Sequence, residues 1–258
     1  MSDIKLFNIK NKKVFSNHKL DKNTMQELFE ANASDILGLN IIQSNINITQ
    51  NKDEILETLA IDEDYCLVVI EYRTGKFGKT INKGLVIIDY ILNNKSKIKI
   101  LLNELLGYDV ANNVILNPRL IVVGEEFNKY DEYAVKQINI EIDLIKLSLF
   151  DKDILILEKV YQGNKIFDGK FLQRFNDEQL KVFKMISEFA LSLGDEVVQK
   201  DYDNFIVYRK IKSFMYVVLK EHIEINVKIN SKFKSIIIKT QKDFQKATIL
   251  IEEAYDKC

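Results

Sequence analysis

The chain has 258 residues, 47% of them hydrophobic, and its 37 Lys or Arg residues balance 38 Asp or Glu residues to a net charge of -1. This composition predicts one or two folded domains, and the charge balance excludes a uniformly basic nucleic-acid-binding surface. No apolar run approaches the roughly 18 residues that span a bilayer, so we expect a cytoplasmic protein without a membrane partner.

Apolar periodicity and turn residues predict the elements of the first part of the chain. Asn23 is the expected N-cap of the first helix and Gly38 its stop, while Thr80 is the expected cap of the second helix. Three short β-branched runs, separated by polar turns at 49–53 and 62–64, predict antiparallel strands. A continuous apolar run at 119–123 predicts a strand buried on both faces. The predicted elements are helix 23–37, strands 41–48, 54–61 and 66–72, helices 80–92 and 96–107, strand 119–123, helix 131–139, and strands 144–150 and 154–160.

A second domain is predicted after residue 175. Residues 161–175 contain two glycines and several charges without a clear period, which indicates a linker. Asn176 and Gln179 then predict a capping box at the start of a helix. The predicted elements of this domain are helix 176–193, strands 205–208, 214–219, 223–229 and 235–238, and helix 241–255. We therefore expect a first domain over 1–160 and a small α+β domain over 176–258, with an antiparallel sheet between two helices.

The predicted hairpin between residues 57 and 73 carries the residues with the clearest chemical potential. Asp64 is its midpoint, so a symmetric hairpin places Glu57 directly opposite Glu71, with Cβ atoms roughly 5 Å apart. Arg73 follows Glu71 by two residues and projects from the same face. Converging carboxylates with a nearby cation suit a metal-dependent phosphodiesterase. The alternative is structural, with Arg73 simply neutralising Glu71 across the strands.

Four segments of the sequence resemble a known bacterial family. They are LAIDEDYCLVVIEYRTG (59–75), TINKGLVIIDYIL (80–92), NPRLIVVGEEFNKYDEYAVKQINIEIDLIKLSLF (117–150) and DILILEKV (153–160). They are similar to proteins usually labelled predicted transport proteins, which pair an endonuclease-NucS-like, PD-(D/E)XK-type first half with a C-terminal domain of unknown function. The resemblance implies a restriction-endonuclease-like α/β fold, a mixed sheet flanked by helices, and Mg²⁺ or Mn²⁺ as the cofactor.

The resemblance also implies roles for individual acidic residues. Glu30 falls on the family's helical glutamate, and Glu71 falls on the glutamate of its Glu-x-Lys signature. Glu57 takes the place of the metal-binding aspartate and is longer by one methylene. We therefore expect Glu57, Glu71 and Glu30 to be the metal ligands.

The cationic part of the family's signature is altered in this chain. Arg73 stands where the family has lysine, and a guanidinium cannot act as a general base. Lys83 stands where the following helix usually has glutamine, and it could deliver an ammonium to the vacated space. The ordinary interpretation of Lys83 is a solvated helix lysine. Glu57, Glu71, Arg73 and Lys83 are thus the candidate catalytic residues.

Two regions outside the hairpin are candidates for binding a nucleic-acid backbone. Lys76 and Lys79 lie in the segment before the second helix, where free amides attract anions, although Arg73 breaks the full phosphate-loop pattern. Residues 209–246 hold ten Lys or Arg against three acids, with Lys212 and Lys228 among them, interleaved with Phe214, Tyr216 and Phe233. The alternatives are a merely polar loop and a charged, solvated sheet face.

Two functions stay open from sequence alone. The first is a metal-dependent nuclease, with DNA favoured over RNA as the substrate. The second is a nuclease fold that has lost its chemistry and serves as a nucleic-acid-binding or protein-interaction module. A homo-oligomer is compatible with either function.

Overall fold

The chain consists of two compact units, Met1–Gly163 and Asn164–Cys258. The structure is a computed structural model, and it describes residues 4–47, 55–76, 78–161, 163, 171–202, 204–210, 212–230 and 232–258. The polar turn predicted at 49–53 lies outside the described residues.

The first unit contains five helices and nine strands within the described ranges. Its helices are α1 (Lys22–Leu37), α2 (Thr80–Asn93), α3 (Lys95–Leu106), α4 (Tyr108–Asn113) and α5 (Lys129–Gln137). Its strands are β1 (Phe7–Asn8), β2 (Lys13–Val14), β3 (Asn17–His18), β4 (Asn40–Asn47), β5 (Ile55–Ile61), β6 (Cys66–Arg73), β7 (Ile115–Gly124), β8 (Ile142–Phe150) and β9 (Ile154–Tyr161). Helix α4 and strands β1 to β3 are short elements that the sequence pattern did not predict.

Strands β3 to β9 form one mixed sheet in the order β4-β5-β6-β7-β8, and both β9 and β3 pair with β8. The strands β4, β5 and β6 are antiparallel as predicted, because only a few residues separate consecutive strands along the chain. The strands β6, β7 and β8 run parallel, since α2 to α4 and then α5 supply the crossover connections. The predicted α/β class, a mixed sheet flanked by helices, is confirmed.

The two faces of this sheet bury separate apolar cores. Helix α1 packs Met25 and Phe29 against alternate residues of β6, including Tyr72. Helix α2 packs Ile87 and Ile88 on the opposite face, where Leu67 and Val69 of β6 lie. Adjacent residues of β6 therefore point to different helices, as the period of a strand requires.

The two predicted helix caps in the first unit were wrong, whereas the predicted stop was right. The side chain of Asp21, rather than Asn23, accepts the hydrogen bond from the Thr24 amide and caps α1. Gly38 ends α1 in a left-handed conformation, with φ of 65°. Thr80 is the first residue of α2, and no side chain caps that helix.

The second unit is an α+β fold, as predicted. Its helices and strands are α6 (Asp177–Ser192), β10 (Val198–Asp201), β11 (Phe205–Arg209), β12 (Ser213–Leu219), β13 (Ile223–Ile229), β14 (Lys232–Ile238) and α7 (Gln241–Asp256), preceded by a 3₁₀ helix at Phe171–Arg174. The five strands form an antiparallel sheet in sequential order. The predicted capping box is present. The Asn176 side chain accepts a hydrogen bond from the backbone amide of Gln179, and the Gln179 side chain accepts one from the backbone amide of Asn176.

Both ends of the segment predicted as a linker, 161–175, belong to structured elements or cores, and residues 162 and 164–170 lie outside the described residues. Tyr161 still belongs to β9, and the 3₁₀ helix lies within the second unit. Phe171 and Phe175 are buried in the core of that unit and contact each other edge to face. The sequence pattern missed this anchor because two phenylalanines four residues apart do not establish a helical period. Within the described part of the chain, no helix has the length and hydropathy needed to span a membrane.

Close packing of α2 on β7 fixes the position of the residues that α2 presents to the sheet. A Cβ at Gly84 would lie 2.5 Å from Cδ1 and 2.7 Å from Cδ2 of the buried Leu120. Only glycine therefore permits this approach, even though glycine disfavours a helix interior.

Replacing Gly84 by alanine should destabilise the protein despite alanine's better helix propensity. We expect Gly84→Ala to lower the free energy of unfolding by about 1–3 kcal/mol through overpacking, measured by urea denaturation. Val86→Ala changes an exposed position of the same helix and should stay within about 0.5 kcal/mol of wild type. A Gly84→Ala variant as stable as the control would contradict the packing described for α2.

Candidate functional site

The β5–β6 hairpin has the register that its symmetry predicts. The paired residues run from Ile61 opposite Leu67 to Thr58 opposite Ile70, and the next pair in the same register is Glu57 and Glu71. The strands separate at this pair. Glu57 Oε2 accepts a hydrogen bond from the Tyr72 amide at 2.7 Å, and Glu71 Oε1 accepts one from the Glu57 amide at 3.3 Å. The two carboxylates thus bond to backbone amides where the ladder between the strands ends.

Lys83, in the first turn of α2, lies between the two glutamates. Its Nζ is 2.6 Å from Glu57 Oε1 and 2.7 Å from Glu71 Oε2. The Glu71 side chain is fully buried and the Glu57 side chain is 6% exposed, whereas that of Lys83 is 26% exposed. Two buried carboxylates this close require a counter-charge, and Lys83 supplies it. Lys83 is therefore not the solvated helix lysine of the ordinary interpretation.

Lys22 is a second cation at the site, and sequence reasoning missed it. Lys22, the first residue of α1, forms an ion pair with Glu57 Oε1. Gln26, one turn later, donates from Nε2 to the Glu57 carbonyl oxygen at 3.0 Å. Lys22, Gln26 and Glu30 follow each other at intervals of four, so they share one side of α1. That polar stripe was the available signal.

Glu30 does not join the other two glutamates. Its carboxylate accepts hydrogen bonds from Gln26, Ser44 and Thr58. Thr58 is adjacent to Glu57 on β5 and therefore points to the α1 face of the sheet, away from Lys83. The described residues contain no group of three Asp, Glu, His or Cys side chains placed to hold a metal, so Glu30 is not brought together with Glu57 and Glu71. Its role as a metal ligand stays a prediction.

Arg73 is also placed differently from both sequence-based interpretations. Its guanidinium binds Asp131 through two hydrogen bonds of 2.9 and 3.2 Å and donates to the Glu126 carbonyl oxygen at 2.7 Å. It also lies 4.6 Å from the centre of the Phe127 ring. The buried Arg73 side chain therefore holds the start of α5 against the sheet, while Lys83 neutralises Glu71. The candidate catalytic role of Arg73 has no support in this geometry.

The environment separates the pKa values of the two glutamates. Burial, and then repulsion from Glu57, raise the pKa of Glu71 to about 7, and Lys83 only partly offsets them. Burial also acts to raise the pKa of Glu57, but hydrogen bonds from Lys22, Lys83 and the Tyr72 amide outweigh it and lower the value. The pKa of Lys83 is raised, because its two carboxylate partners outweigh its own burial. The site thus combines one firmly ionised carboxylate with one poised near neutrality.

The two loop lysines have exposed side chains. Lys76 and Lys79 lie between β6 and α2, and the Lys76 carbonyl accepts a hydrogen bond from Asn128. Lys79 occupies the N-cap position of α2. The predicted nucleic-acid contact of these lysines stays a prediction.

The basic region of the second unit is divided between the core and the sheet surface. Phe214 is fully buried in the core, so it is not available to a ligand, contrary to the interleaving predicted for it. Lys228 pairs in register with Phe233, and the rings of Phe233 and Tyr216 meet 5.6 Å apart on the face opposite that core. The carbonyl of Lys212 accepts a hydrogen bond from the Cys258 thiol. Binding of nucleic acid by Lys212 and Lys228 also stays a prediction.

The fold and the site define a mixed α/β protein with a buried Glu-Lys-Glu cluster at the open end of a hairpin. The chain is similar to an uncharacterised protein of Haemophilus influenzae, with 26% identity over 194 residues. The match covers 72% of this chain and 63% of that protein, so the chain spans less than two thirds of its relative. No family model matches the sequence, and no solved structure matches the chain. The resemblance to nuclease-like proteins therefore stays an expectation.

The raised pKa of Glu71 predicts a pH-dependent stability. Between its usual value of 4.5 and about 7, the folded chain retains a proton on Glu71 that the unfolded chain releases. The contribution of Glu71 to the free energy of unfolding is fully present below pH 4.5 and is lost as the pH rises through about 7. The loss is on the order of 3 kcal/mol. Urea denaturation of Glu71→Gln across this range should show a flatter pH dependence than wild type. Glu30→Gln is the matched control, and an equally steep decline in Glu71→Gln would refute the assignment.

Arg73 should couple energetically to Asp131 and not to Glu71. A double-mutant cycle of Arg73→Met with Asp131→Asn should give an interaction free energy of about 1–3 kcal/mol, because the pair is close and largely buried. The same cycle with Glu71→Gln should give less than about 0.5 kcal/mol. The reverse ranking, measured by chemical denaturation, would restore the cross-strand pairing of Arg73 with Glu71.

Proposed function

We propose that the first unit is a divergent metal-dependent endonuclease of the PD-(D/E)XK type that acts on DNA. The observation that carries the proposal is the convergence of Glu57 Oε1 and Glu71 Oε2 on a single cation, at distances of 2.6 and 2.7 Å. The resemblance assigns the nuclease centre to the same hairpin, between Glu57 and Arg73. We further propose that such an endonuclease acts on DNA in the cytoplasm.

The donor set suits Mg²⁺ or Mn²⁺. These ions take oxygen ligands, and Mg²⁺ often uses only one or two carboxylates together with water and substrate phosphate. Glu57 and Glu71 offer two such oxygens from neighbouring strands. A third protein carboxylate is not needed, so the separate position of Glu30 is compatible with the proposal.

The glutamates and the lysines of the site would have different roles in catalysis. Glu57 and Glu71 would hold the ion, which supplies Lewis-acid polarisation of the phosphate and a more acidic water when it is bound. Lys83 and Lys22 offer ammonium groups to a phosphate at the same place, since both already contact Glu57. Lys83 would therefore replace the signature lysine from a different element of the fold, and Arg73 would only position the start of α5.

A second candidate is a nuclease-fold module without catalysis. The observation in its favour is that Lys22 and Lys83 already neutralise the glutamates within the chain. Under this alternative the Glu57-Lys83-Glu71 cluster stabilises the point where β5 and β6 separate, and it binds no metal. Nucleic-acid binding or protein interaction would then use other surfaces.

Calorimetric titration with Mn²⁺ separates the two candidates. The nuclease proposal predicts Mn²⁺ binding by the wild-type chain, weakened roughly tenfold or more in Glu57→Gln and in Glu71→Gln. Glu30→Gln is the matched control and should bind Mn²⁺ like wild type. Lys83→Gln should retain Mn²⁺ binding but lose about 10²–10³-fold in cleavage of single-stranded, branched or mismatched DNA.

Several outcomes would count against the proposal. Absence of Mn²⁺ binding and of cleavage in wild type would favour the non-catalytic module. Cleavage that survives both Glu57→Gln and Glu71→Gln would place the active site elsewhere in the chain.

A further inference from the structure

Strands β1 and β2 form a small sheet of their own, in which most side chains are exposed, and this hairpin carries an unusual charge pattern. Residues 4–20 contain five lysines and no acidic residue, although the whole chain is almost neutral. Four of these lysines, Lys5, Lys10, Lys12 and Lys13, lie in or beside the hairpin, and all four are exposed. We call residues 5–15 the basic arm.

The basic arm also exposes apolar side chains. Phe7 and Val14 are paired across the two strands and are 54% and 60% exposed, and Ile9 at the tip is 83% exposed. Apolar side chains on an open two-stranded hairpin contribute little to folding, because a pair of strands buries too little surface. A hairpin that presents both cations and apolar groups suits a partner with an anionic backbone and apolar ring or sugar surfaces.

The basic arm is held in a defined conformation. At its tip, Asn8 Oδ1 accepts hydrogen bonds from the amides of Lys10 and Asn11, and Asn11 Oδ1 accepts one from Lys13. At its base, Asp151 forms an ion pair with Lys13 at 2.5 Å and exchanges backbone and side-chain hydrogen bonds with Ser16. The orientation of the arm on the unit is therefore fixed before any partner binds.

The base of the arm borders a cleft of about 930 Å³ on the α2 face of the sheet. Ile4, Asn17 and Lys19 line this cleft, and so do Lys76 in the segment before α2 and Lys129 at the start of α5. Four acidic residues line it as well, two of which are engaged by the Leu20 amide and by Lys146. The cleft is thus balanced in charge, and the excess of positive charge lies on the arm.

We propose that the basic arm is a nucleic-acid-binding element that grips the phosphate backbone of DNA and delivers it along the cleft. This inference rests on the proposed function, because Glu57 and Glu71 lie on the same α2 face of the sheet as the cleft. Lys10 and Lys12 contact phosphates, while Ile9 and Phe7 contact sugars or bases in a groove. The arm exposes only three apolar side chains and lies beside a cleft lined by four lysines and four acidic residues, which favours nucleic acid over a lipid surface.

Fluorescence anisotropy with labelled duplex and single-stranded DNA tests this proposal in the full-length chain, in EDTA so that no cleavage occurs. The double variant Lys10→Gln/Lys12→Gln should bind roughly tenfold more weakly at about 50 mM KCl. The slope of log affinity against log salt should decrease by about 1.8 for duplex DNA, since two phosphate contacts are lost. Ile9→Ser should weaken binding without changing that slope.

Lys181→Gln/Lys184→Gln removes the same charge from exposed positions of α6 and should bind like wild type. An equal loss in this control, or no loss in the arm variant, would overturn the proposal. Absence of DNA binding in wild type would overturn it as well. Binding to anionic phospholipid vesicles that depends on Lys10 and Lys12, without DNA binding, would assign the arm to a lipid surface instead.

The DNA-binding and Mn²⁺-binding measurements together separate failure of the arm from failure of the active site. DNA binding that depends on the arm, in a chain that binds no Mn²⁺, supports the arm and rejects the endonuclease. Cleavage that is unaffected by Lys10→Gln/Lys12→Gln, with unchanged affinity, rejects the arm and keeps the endonuclease.

Discussion

The pairing of one ammonium group with two buried carboxylates is the interaction on which the site depends. Lys83 lets Glu57 and Glu71 face each other where β5 and β6 separate, since two unpaired carboxylates in that position would be strongly destabilising. The contact also requires α2 to lie close to the sheet. Gly84, the next residue, makes that approach sterically feasible against Leu120. Two consecutive residues of α2 therefore have linked roles, because the close approach that Gly84 permits brings Lys83 within reach of the two glutamates.

Two buried arginines of the first unit, Arg73 and Arg119, stabilise the fold and do not take part in the Glu57-Lys83-Glu71 cluster. Arg73 ties the end of β6 to the start of α5 through Asp131. Arg119, buried near the opposite end of the sheet, pairs with Asp62 next to the hairpin turn and with Asp143 of β8. These arginines are bound by carboxylates from distant parts of the chain, so they stabilise the framework and leave the ammonium groups of Lys22 and Lys83 at the candidate centre.

The sequence predicted the parts of the site that depend on local periodicity. The symmetry of the hairpin about Asp64 was enough to place Glu57 opposite Glu71, because strand register follows a period of two. The partner of Arg73 was not predictable in this way, since Asp131 is 58 residues further along and no local pattern links the two. Glu30 was predicted to be a metal ligand from the resemblance alone. The partners of its side chain depend on which face of β5 the helix α1 covers, and the sequence pattern does not determine that face. Short strands such as β10 carry too few residues for any period to emerge.

The proposed metal centre is tested most directly by a crystal structure of the full chain grown or soaked with Mn²⁺, with the ion located by anomalous scattering. The proposed metal centre predicts an anomalous peak coordinated by Glu57 and Glu71, with the Lys83 ammonium displaced from the space between them. A structure without a peak at that position, in which Lys83 still bridges the two glutamates at saturating Mn²⁺, would contradict the proposed metal centre.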